Sequence, residues 1–305
     1  MADPNPSDSQ LHPVPLAPAP WTAKAESYWL FLTLGGKLPE GVYDRVDVRG
    51  GVEEVGYEGK ERGEFKGGLG VVMIVRYTDT PVGPYDELLL IPGNFSVPTP
   101  TSASTTPPTF SLPRSALRIT RIYVSTSNAA TVYNGRRNWN IPKHHARFSF
   151  SAPQTLAGQS PPQEMTVKVY APGSVEGDGA EPFFGVRLRP WRWVPAVPVK
   201  SKWLPVSTVH VQPPLAEGEK YAVTKGKVDG EVKEEDVLVG TEKWSTFEIG
   251  SAAPRARGCW VEVLEAGGRS VKAGKWWPQD VKPWGVGAWM EEGTMSIPMP
   301  NEWKL

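Results

Sequence analysis

The sequence has little cysteine, no charge imbalance and no long apolar run, and each shortage excludes a class of protein. Cys259 is the single cysteine among 305 residues, so neither an intramolecular disulfide nor a cysteine-based zinc cluster can form. The 33 basic and 33 acidic residues cancel, which leaves no overall positive field to attract nucleic acid or an anionic membrane. The longest apolar stretches, at 28–34 and 69–75, are far shorter than the ~20 residues that span a bilayer. We therefore expect no nucleic-acid or membrane partner and, since no signal-peptide pattern opens the chain, a cytoplasmic location.

Several familiar catalytic motifs are also lacking. The glycines of 67–70 form neither a Walker A loop nor a dinucleotide-binding fingerprint, and no GxSxG elbow is present. The sequence has four histidines but no HExxH motif, so a metal site has little support.

Short β-rich runs bounded by Gly or Pro recur along the chain, whereas helical periodicity is scarce. This pattern predicts a mostly β fold, barrel-like or sandwich-like, with a few short helices. The run at 21–34 is either a strand or a helix. Ser127 and Gly135 are the expected start and end of a short helix between two strands. The candidate strands are 69–77, 86–92, 116–124, 141–150, 164–170, 183–189, 207–212, 220–224, 235–240 and 259–265.

The domain organisation follows from composition. Residues 1–20 contain six prolines and few core-forming side chains, so we expect a disordered arm. Residues 21–305 are predicted to form one domain, with 94–113 as a long surface loop. The tryptophans clustered at 276–289 are interpreted as core-filling, with a stacking platform for a sugar as the alternative.

The segment from Asn134 to Phe148 places cations among apolar residues. On residue type alone, Lys143 is an ordinary exposed lysine at the start of a strand. However, the run from Gly135 to Lys143, Gly-Arg-x-x-Trp-x-Ile-Pro-Lys, resembles the active-site signature of the acetoacetate decarboxylase superfamily. Three further blocks agree with this resemblance: Ala17–Trp21 with Lys24 and Ser27-Tyr28, Gly83–Gly93, and Arg121–Ser125.

The resemblance covers residues 17–150 well, the remainder loosely, and is strongest to the fungal branch of the family. It implies an antiparallel, cone-shaped β-barrel whose interior holds a Schiff-base lysine, here Lys143, with Glu87 at the pocket border. It also implies an enzyme without cofactor or metal, a small keto acid as substrate, and a homo-oligomer among the expected assemblies. Two positions depart from the family pattern: His144 replaces its second lysine, and Arg137 replaces a glutamate.

Strand alternation adds an expectation about the histidines. From Lys143 onward, one face carries His145 and the other carries His144. We therefore expect His145 or Glu87 to relay protons, with a structural role for His145 as the alternative. We also expect the substrate to be bound by four side chains: Arg136, Tyr85, His144 and Arg121.

The expected function is a decarboxylase-like carbon–carbon lyase that acts on a β-keto acid or related carbonyl compound. A protonated imine accepts the electrons released with CO₂, and only a neutral amine can form that imine. A lysine has an ordinary pKa of about 10.4, so the mechanism requires a lowered value, and acetoacetate decarboxylase is the standard example of this activation. Two alternatives stay open: an aldolase, dehydratase or cyclase on the same fold, and a barrel that binds a small molecule without catalysis.

Overall fold

The computed structural model describes residues 12–48, 62–100, 110–125, 128–203, 207–228, 230–264 and 275–305. Strands make up 43% and helices 11% of the structure. The helices are α1 (Ala129–Trp139) and α2 (Glu219–Thr224), with short 3₁₀ turns at Arg45–Asp47, Ser201–Trp203 and Glu234–Asp236. The strands are β1 (Trp21–Leu34), β2 (Phe65–Asp79), β3 (Tyr85–Ile91), β4 (Asn94–Ser96), β5 (Ser115–Leu117), β6 (Arg121–Ser125), β7 (Lys143–Phe150), β8 (Met165–Tyr170), β9 (Phe184–Pro190), β10 (Val197–Lys200), β11 (Val209–Gln212), β12 (Trp244–Glu248), β13 (Gly250–Val263), β14 (Val286–Ile297) and β15 (Asn301–Trp303).

Nine strands close a barrel in the order β1-β14-β13-β9-β8-β7-β6-β3-β2, and β2 pairs with β1 to complete the ring. Within the barrel, all pairs are antiparallel except β6 and β7, which run parallel because α1 connects them. A second sheet continues from β2 through β4, β5, β11, β12 and β15. The predicted mostly β barrel is therefore confirmed, with one parallel pair.

Two apolar clusters lie on opposite faces of the barrel wall. Side chains alternate along each strand, and all nine barrel strands send residues into one cluster, which is the barrel interior. The second cluster lies outside the wall, between β1, β2, β3 and β6 on one side and α1, α2 and β12 on the other. The second face is the one that carries the candidate site.

The strand assignments from sequence were right for much of the barrel and differ from the structure in three places: the segment 116–124, predicted as one strand, is divided into β5 and β6, and two other segments form no strand. The hairpin of 69–77 with 86–92 forms as β2 and β3, and 21–34 is a strand. Residues 220–224 belong to α2, because Gly218 caps that helix and only Tyr221 of the segment is buried. Residues 235 and 236 belong to the 3₁₀ turn Glu234–Asp236, and residues 237–240 form no strand.

Helix α1 is longer than the sequence predicted. Ser127 lies outside the described residues, and the side chain of Asn128 caps the helix by accepting a hydrogen bond from the Ala130 amide. Gly135 lies within α1 rather than ending it. The helix ends at Asn140, whose backbone is left-handed, with φ of 57°.

The described part of the proline-rich arm, residues 12–20, is packed rather than disordered. Asn134 accepts a hydrogen bond from the Ala17 amide at 2.8 Å, and Asn138 donates to the Ala17 carbonyl at 2.8 Å. These side chains satisfy backbone groups that the arm cannot pair within itself. Residues 1–11 lie outside the described residues.

The segment 94–113 is only partly a surface loop. Its first three residues form β4, Val97 is buried, and Phe110 packs with Trp303. Residues 101–109 lie outside the described residues.

The clustered tryptophans mostly fill the core, as interpreted from the sequence. Trp277 and Trp289 are buried in the barrel interior, and Trp276 packs against it. Trp284 differs from these, because it is 46% exposed and lines a cavity.

Among the described residues, no helix has the length and apolar character needed to cross a membrane.

Candidate active site

A cavity of about 490 Å³ lies between the outer face of the barrel wall and the second sheet. Lys143, the first residue of β7, projects into it and is only 4% exposed. The sequence resemblance implied a lysine inside the barrel. The structure instead places Lys143 on the opposite face of the wall, because it shares a face with its register partner Ile122, which belongs to the outer cluster.

Three side chains hold the ammonium group of Lys143. The Nζ atom donates to Glu87 Oε2 at 2.9 Å, to Tyr85 Oη at 3.1 Å and to Thr131 Oγ1 at 3.1 Å. Glu87 and Tyr85 lie on β3, two residues apart and therefore on one face, whereas Thr131 comes from α1. The three donated hydrogen bonds account for all the protons of an ammonium group.

The carboxylate of Glu87 is held from its other side. Its Oε1 atom accepts a hydrogen bond from Tyr77 Oη at 3.2 Å, and Tyr77 is the register partner of Tyr85 across the β2–β3 hairpin. Burial and the neighbouring Glu87 raise the pKa of Tyr77, and burial raises the pKa of Tyr85. Both tyrosines are therefore neutral phenols that can donate hydrogen bonds.

The pKa of Lys143 is raised above its ordinary value. Burial alone would lower it, but the negative charge of Glu87 and the hydrogen bonds to Glu87 and Tyr85 outweigh that effect. The resting site is thus an ammonium–carboxylate pair, and not the neutral amine that imine formation requires.

Gly135 explains how α1 approaches this lysine. An ideal Cβ at position 135 would lie 2.8 Å from Cδ and 2.9 Å from Cε of Lys143. The absence of a side chain therefore lets the helix pack directly against the aliphatic part of Lys143. Gly135 and Lys143, the first and last residues of the sequence signature, are therefore in direct contact.

The remaining walls of the cavity are mostly apolar. Among the described lining residues, Lys143 and Glu87 are the only side chains charged at neutral pH, since burial lowers the pKa of His210 to about 4. Met73, Leu89 and Ile91 are typical wall residues, and four tryptophans also contribute: Trp21, Trp29, Trp139 and Trp284.

Four of the expected site residues do not line this cavity. Arg136 is fully buried in a separate network, where it donates to Asp47 Oδ1 at 2.6 Å and to the carbonyls of Val239 and Ala216. Arg121 donates to Tyr123 Oη at 2.7 Å and to the backbone carbonyls of Lys275 and Tyr43. Both guanidinium groups are occupied by structural partners.

His144 belongs to the same network as Arg136. Its Nε2 atom is 2.8 Å from Asp47 Oδ2, and its Nδ1 atom is 2.9 Å from Glu234 Oε1. Burial disfavours the charged ring, but the charge of Asp47 more than compensates and raises the pKa of His144 to about 10. His144 is thus a charged structural residue and not a substrate ligand.

His145 shares the outer face with Lys143, as alternation predicted, but it does not line the cavity. Two residues advance the strand by about 7 Å, and at that point His145 Nδ1 lies 3.8 Å from Glu234 Oε2. The proton-relay hypothesis for His145 is therefore not supported by its position, whereas Glu87 is in place.

Sequence reasoning missed Tyr77 and Thr131. Tyr77 could have been found, because the hairpin pairs it with Tyr85 once the turn register is known. No sequence pattern indicated Thr131, because this residue contacts Lys143 only through the packing of α1 against β7.

Comparisons with known proteins agree with this fold. Neither a family model nor a curated protein matches the sequence. The structure is similar to an acetoacetate decarboxylase-like enzyme from Sphingomonas wittichii RW1, with 9% identity, a TM-score of 0.50, and coverage of 95% of this chain and 94% of that one. The chain has the acetoacetate decarboxylase-like fold.

Two other similar structures are an acetoacetate decarboxylase and the enduracididine biosynthesis enzyme MppR. The first has 10% identity and a TM-score of 0.48, and covers 100% of this chain and 95% of that one. The second has 12% identity and a TM-score of 0.49, and covers 95% of this chain and 89% of that one. The specific resemblance to the fungal branch stays a prediction.

Among the described residues, no group of three or more His, Cys, Asp or Glu side chains is arranged to hold a metal ion.

Proposed function

We propose that the protein is a Schiff-base lyase in which Lys143 attacks the carbonyl carbon of a β-keto acid or related compound. The observation that carries this proposal is the buried Lys143–Glu87 pair, 2.9 Å apart, in a cavity whose other described lining residues are uncharged at neutral pH. A buried ion pair is weak evidence for stability, because desolvation opposes its formation. A buried ion pair that faces an apolar cavity is typical of a catalytic site, where a perturbed pKa serves the reaction.

The first step requires a proton transfer within the pair. When a substrate displaces water from the apolar cavity, the neutral amine and carboxylic acid become favoured over two charges. The proton moves from Nζ of Lys143 to Oε2 of Glu87, and the free electron pair of Nζ then attacks the carbonyl carbon. Glu87 returns this proton to the substrate oxygen, then carries a second proton from the same nitrogen to that oxygen, which leaves as water. Overall, an ammonium group and a ketone give a protonated imine and water.

For a β-keto acid, decarboxylation follows. The electrons of the bond to the carboxylate move toward the imine nitrogen, which yields CO₂ and a neutral enamine. The enamine carbon then takes up one proton from water through Glu87 and Tyr77, whose hydroxyl lies 3.2 Å from the carboxylate. Water finally hydrolyses the imine and releases the ketone product.

The charged side chains that line the cavity influence which reaction is favoured. Among the described lining residues, no second cation is present to neutralise a substrate carboxylate beside Glu87. A substrate carboxylate without a cationic partner is destabilised in this cavity, and its loss as CO₂ removes that destabilisation. The same observation favours a second candidate, aldolase, dehydratase or cyclase chemistry on a neutral carbonyl compound through the same imine.

Borohydride trapping followed by peptide mass spectrometry tests the proposal. We expect 3-oxo acids to give a reduced adduct on Lys143 together with CO₂. Lys143→Arg keeps the positive charge opposite Glu87 but cannot form an imine, so it should give neither. Lys168→Ala, which removes an exposed lysine on β8, should behave as wild type.

Three other outcomes are informative. An adduct from neutral ketones or aldehydes without CO₂ release from acids would replace the decarboxylase proposal by the second candidate. Adducts spread over surface lysines, or no adduct with any carbonyl compound, would overturn the proposed Schiff-base function and leave a non-catalytic binding site.

A further inference from the structure

The cavity extends well beyond the reactive groups. Its lining residues follow β2 from Leu69 to Tyr77 and β3 from Tyr85 to Ile91. The eight steps from residue 69 to residue 77 of an extended strand correspond to about 26 Å. The volume of about 490 Å³ lies within the range of sites that enclose drug-sized ligands, roughly 300–1,000 Å³. A four-carbon keto acid would therefore occupy only a small part of this space.

The two ends of the cavity differ in exposure. At the Lys143 end, Tyr77, Tyr85 and Glu87 are each at most 6% exposed. At the other end, Leu69 is 36% exposed and Trp284 is 46% exposed. The reactive groups thus lie at the buried end, and the apolar side chains at the far end border solvent.

The segment between these ends is apolar. Met73 and Leu89 face each other across the β2–β3 pair, and Val71 is paired with Ile91 nearer the exposed end. An uncharged chain that runs along this wall would remain in contact with hydrocarbon over its whole length.

We infer that the substrate is a carbonyl compound with an elongated, uncharged apolar tail. Its carbonyl group enters first and reaches Lys143, and its tail lies along β2 and β3 toward Leu69 and Trp284. This inference rests on the proposed function, because it assigns a substrate class to the same lysine.

A chain-length series tests the inference. We would measure the second-order rate of adduct formation on Lys143 with unbranched 3-oxo acids and methyl ketones of four to fourteen carbons. Each methylene that moves from water into the cavity should increase this rate by about three- to fourfold, until the tail reaches the exposed end. A rate that does not depend on chain length would overturn the substrate class.

A matched pair of variants locates the tail. Val71→Phe adds an aromatic ring to the cavity wall, away from Lys143, and should lower the rate for long chains far more than the rate for short ones. Thr78→Phe adds the same ring to an exposed position on the same strand and should change neither. If the rates of the two variants depended on chain length in the same way, the placement of the tail would be wrong.

A binding measurement separates failure of the substrate class from failure of the proposed function. Methyl ketones of increasing length should quench the cavity tryptophans of wild type and of Lys143→Arg with the same length dependence. Adducts that form equally well at every length would overturn the tail and leave the Schiff base intact. Length-dependent quenching without any adduct would overturn the function, and the substrate class with it.

Discussion

Replacing Gly135 by alanine tests the packing that positions Lys143. The added methyl carbon would lie 2.8 Å from Cδ and 2.9 Å from Cε of the lysine. Carbon atoms pack at about 3.5–4.0 Å, so the lysine side chain must retreat by about 1 Å. The three hydrogen bonds of Nζ, now 2.9–3.1 Å long, cannot all survive such a movement.

The expected effect is on rate more than on stability. A displacement of about 1 Å of a reacting group costs on the order of 100-fold in rate. Alanine in a helix interior is favoured over glycine by about 0.5–1 kcal/mol, whereas overpacking costs about 1–3 kcal/mol. We therefore expect the free energy of unfolding to fall by no more than about 2.5 kcal/mol.

The assay is the rate of imine trapping at saturating carbonyl compound, together with urea unfolding of the same variant. Arg137→Ala provides the control, because it alters an exposed position in the same helix and leaves Gly135 intact. Trapping by Gly135→Ala at the wild-type rate would refute the reasoning, since it would mean that the helix does not constrain the lysine.

Three further predictions concern charge. Glu87→Gln removes the charge that raises the pKa of Lys143, so the pH profile of trapping should shift downward by about 1–3 units; an unchanged profile would contradict the ion pair. Because the pKa of His144 is raised to about 10 from 6.5, its stabilisation is complete below pH 6.5 and is lost as pH rises toward 10. Between pH 7 and pH 9, the free energy of unfolding of the wild type in urea should fall by up to about 1.4 kcal/mol per pH unit because of this group. In His144→Gln that part of the decrease should be absent. Arg136→Ala leaves the buried Asp47 with one partner fewer and should cost about 3–5 kcal/mol in the same assay; a loss below about 1 kcal/mol would refute its structural role.

The local pattern of the chain predicted a large part of the barrel wall. Alternation and turn residues identified the β2–β3 hairpin, and the same alternation placed Glu87 with Leu89 and Ile91 on one face, as observed. Such features depend on residues close in sequence, because successive side chains of a strand point to opposite faces whatever surrounds them.

The cations near Lys143 show where local reasoning fails. Arg136 and His144 flank the lysine motif, yet both are bound to Asp47, about ninety residues earlier in the chain. Sequence proximity suggested substrate ligands, but buried charges require partners, and those partners come from another part of the fold. Residue type and position in the chain therefore predict the wrong site for Arg136 and His144.

The sequence by itself determined the β-rich character of the chain and the shared face of Glu87 and the apolar residues of β3. Only the tertiary structure decided that Lys143 lies outside the barrel, that Tyr77 and Thr131 complete its surroundings, and that the cavity follows β2 toward solvent. The reason is that alternation determines which side chains share a face. Which face encloses a cavity depends on the closure of nine strands and on the second sheet that covers one side.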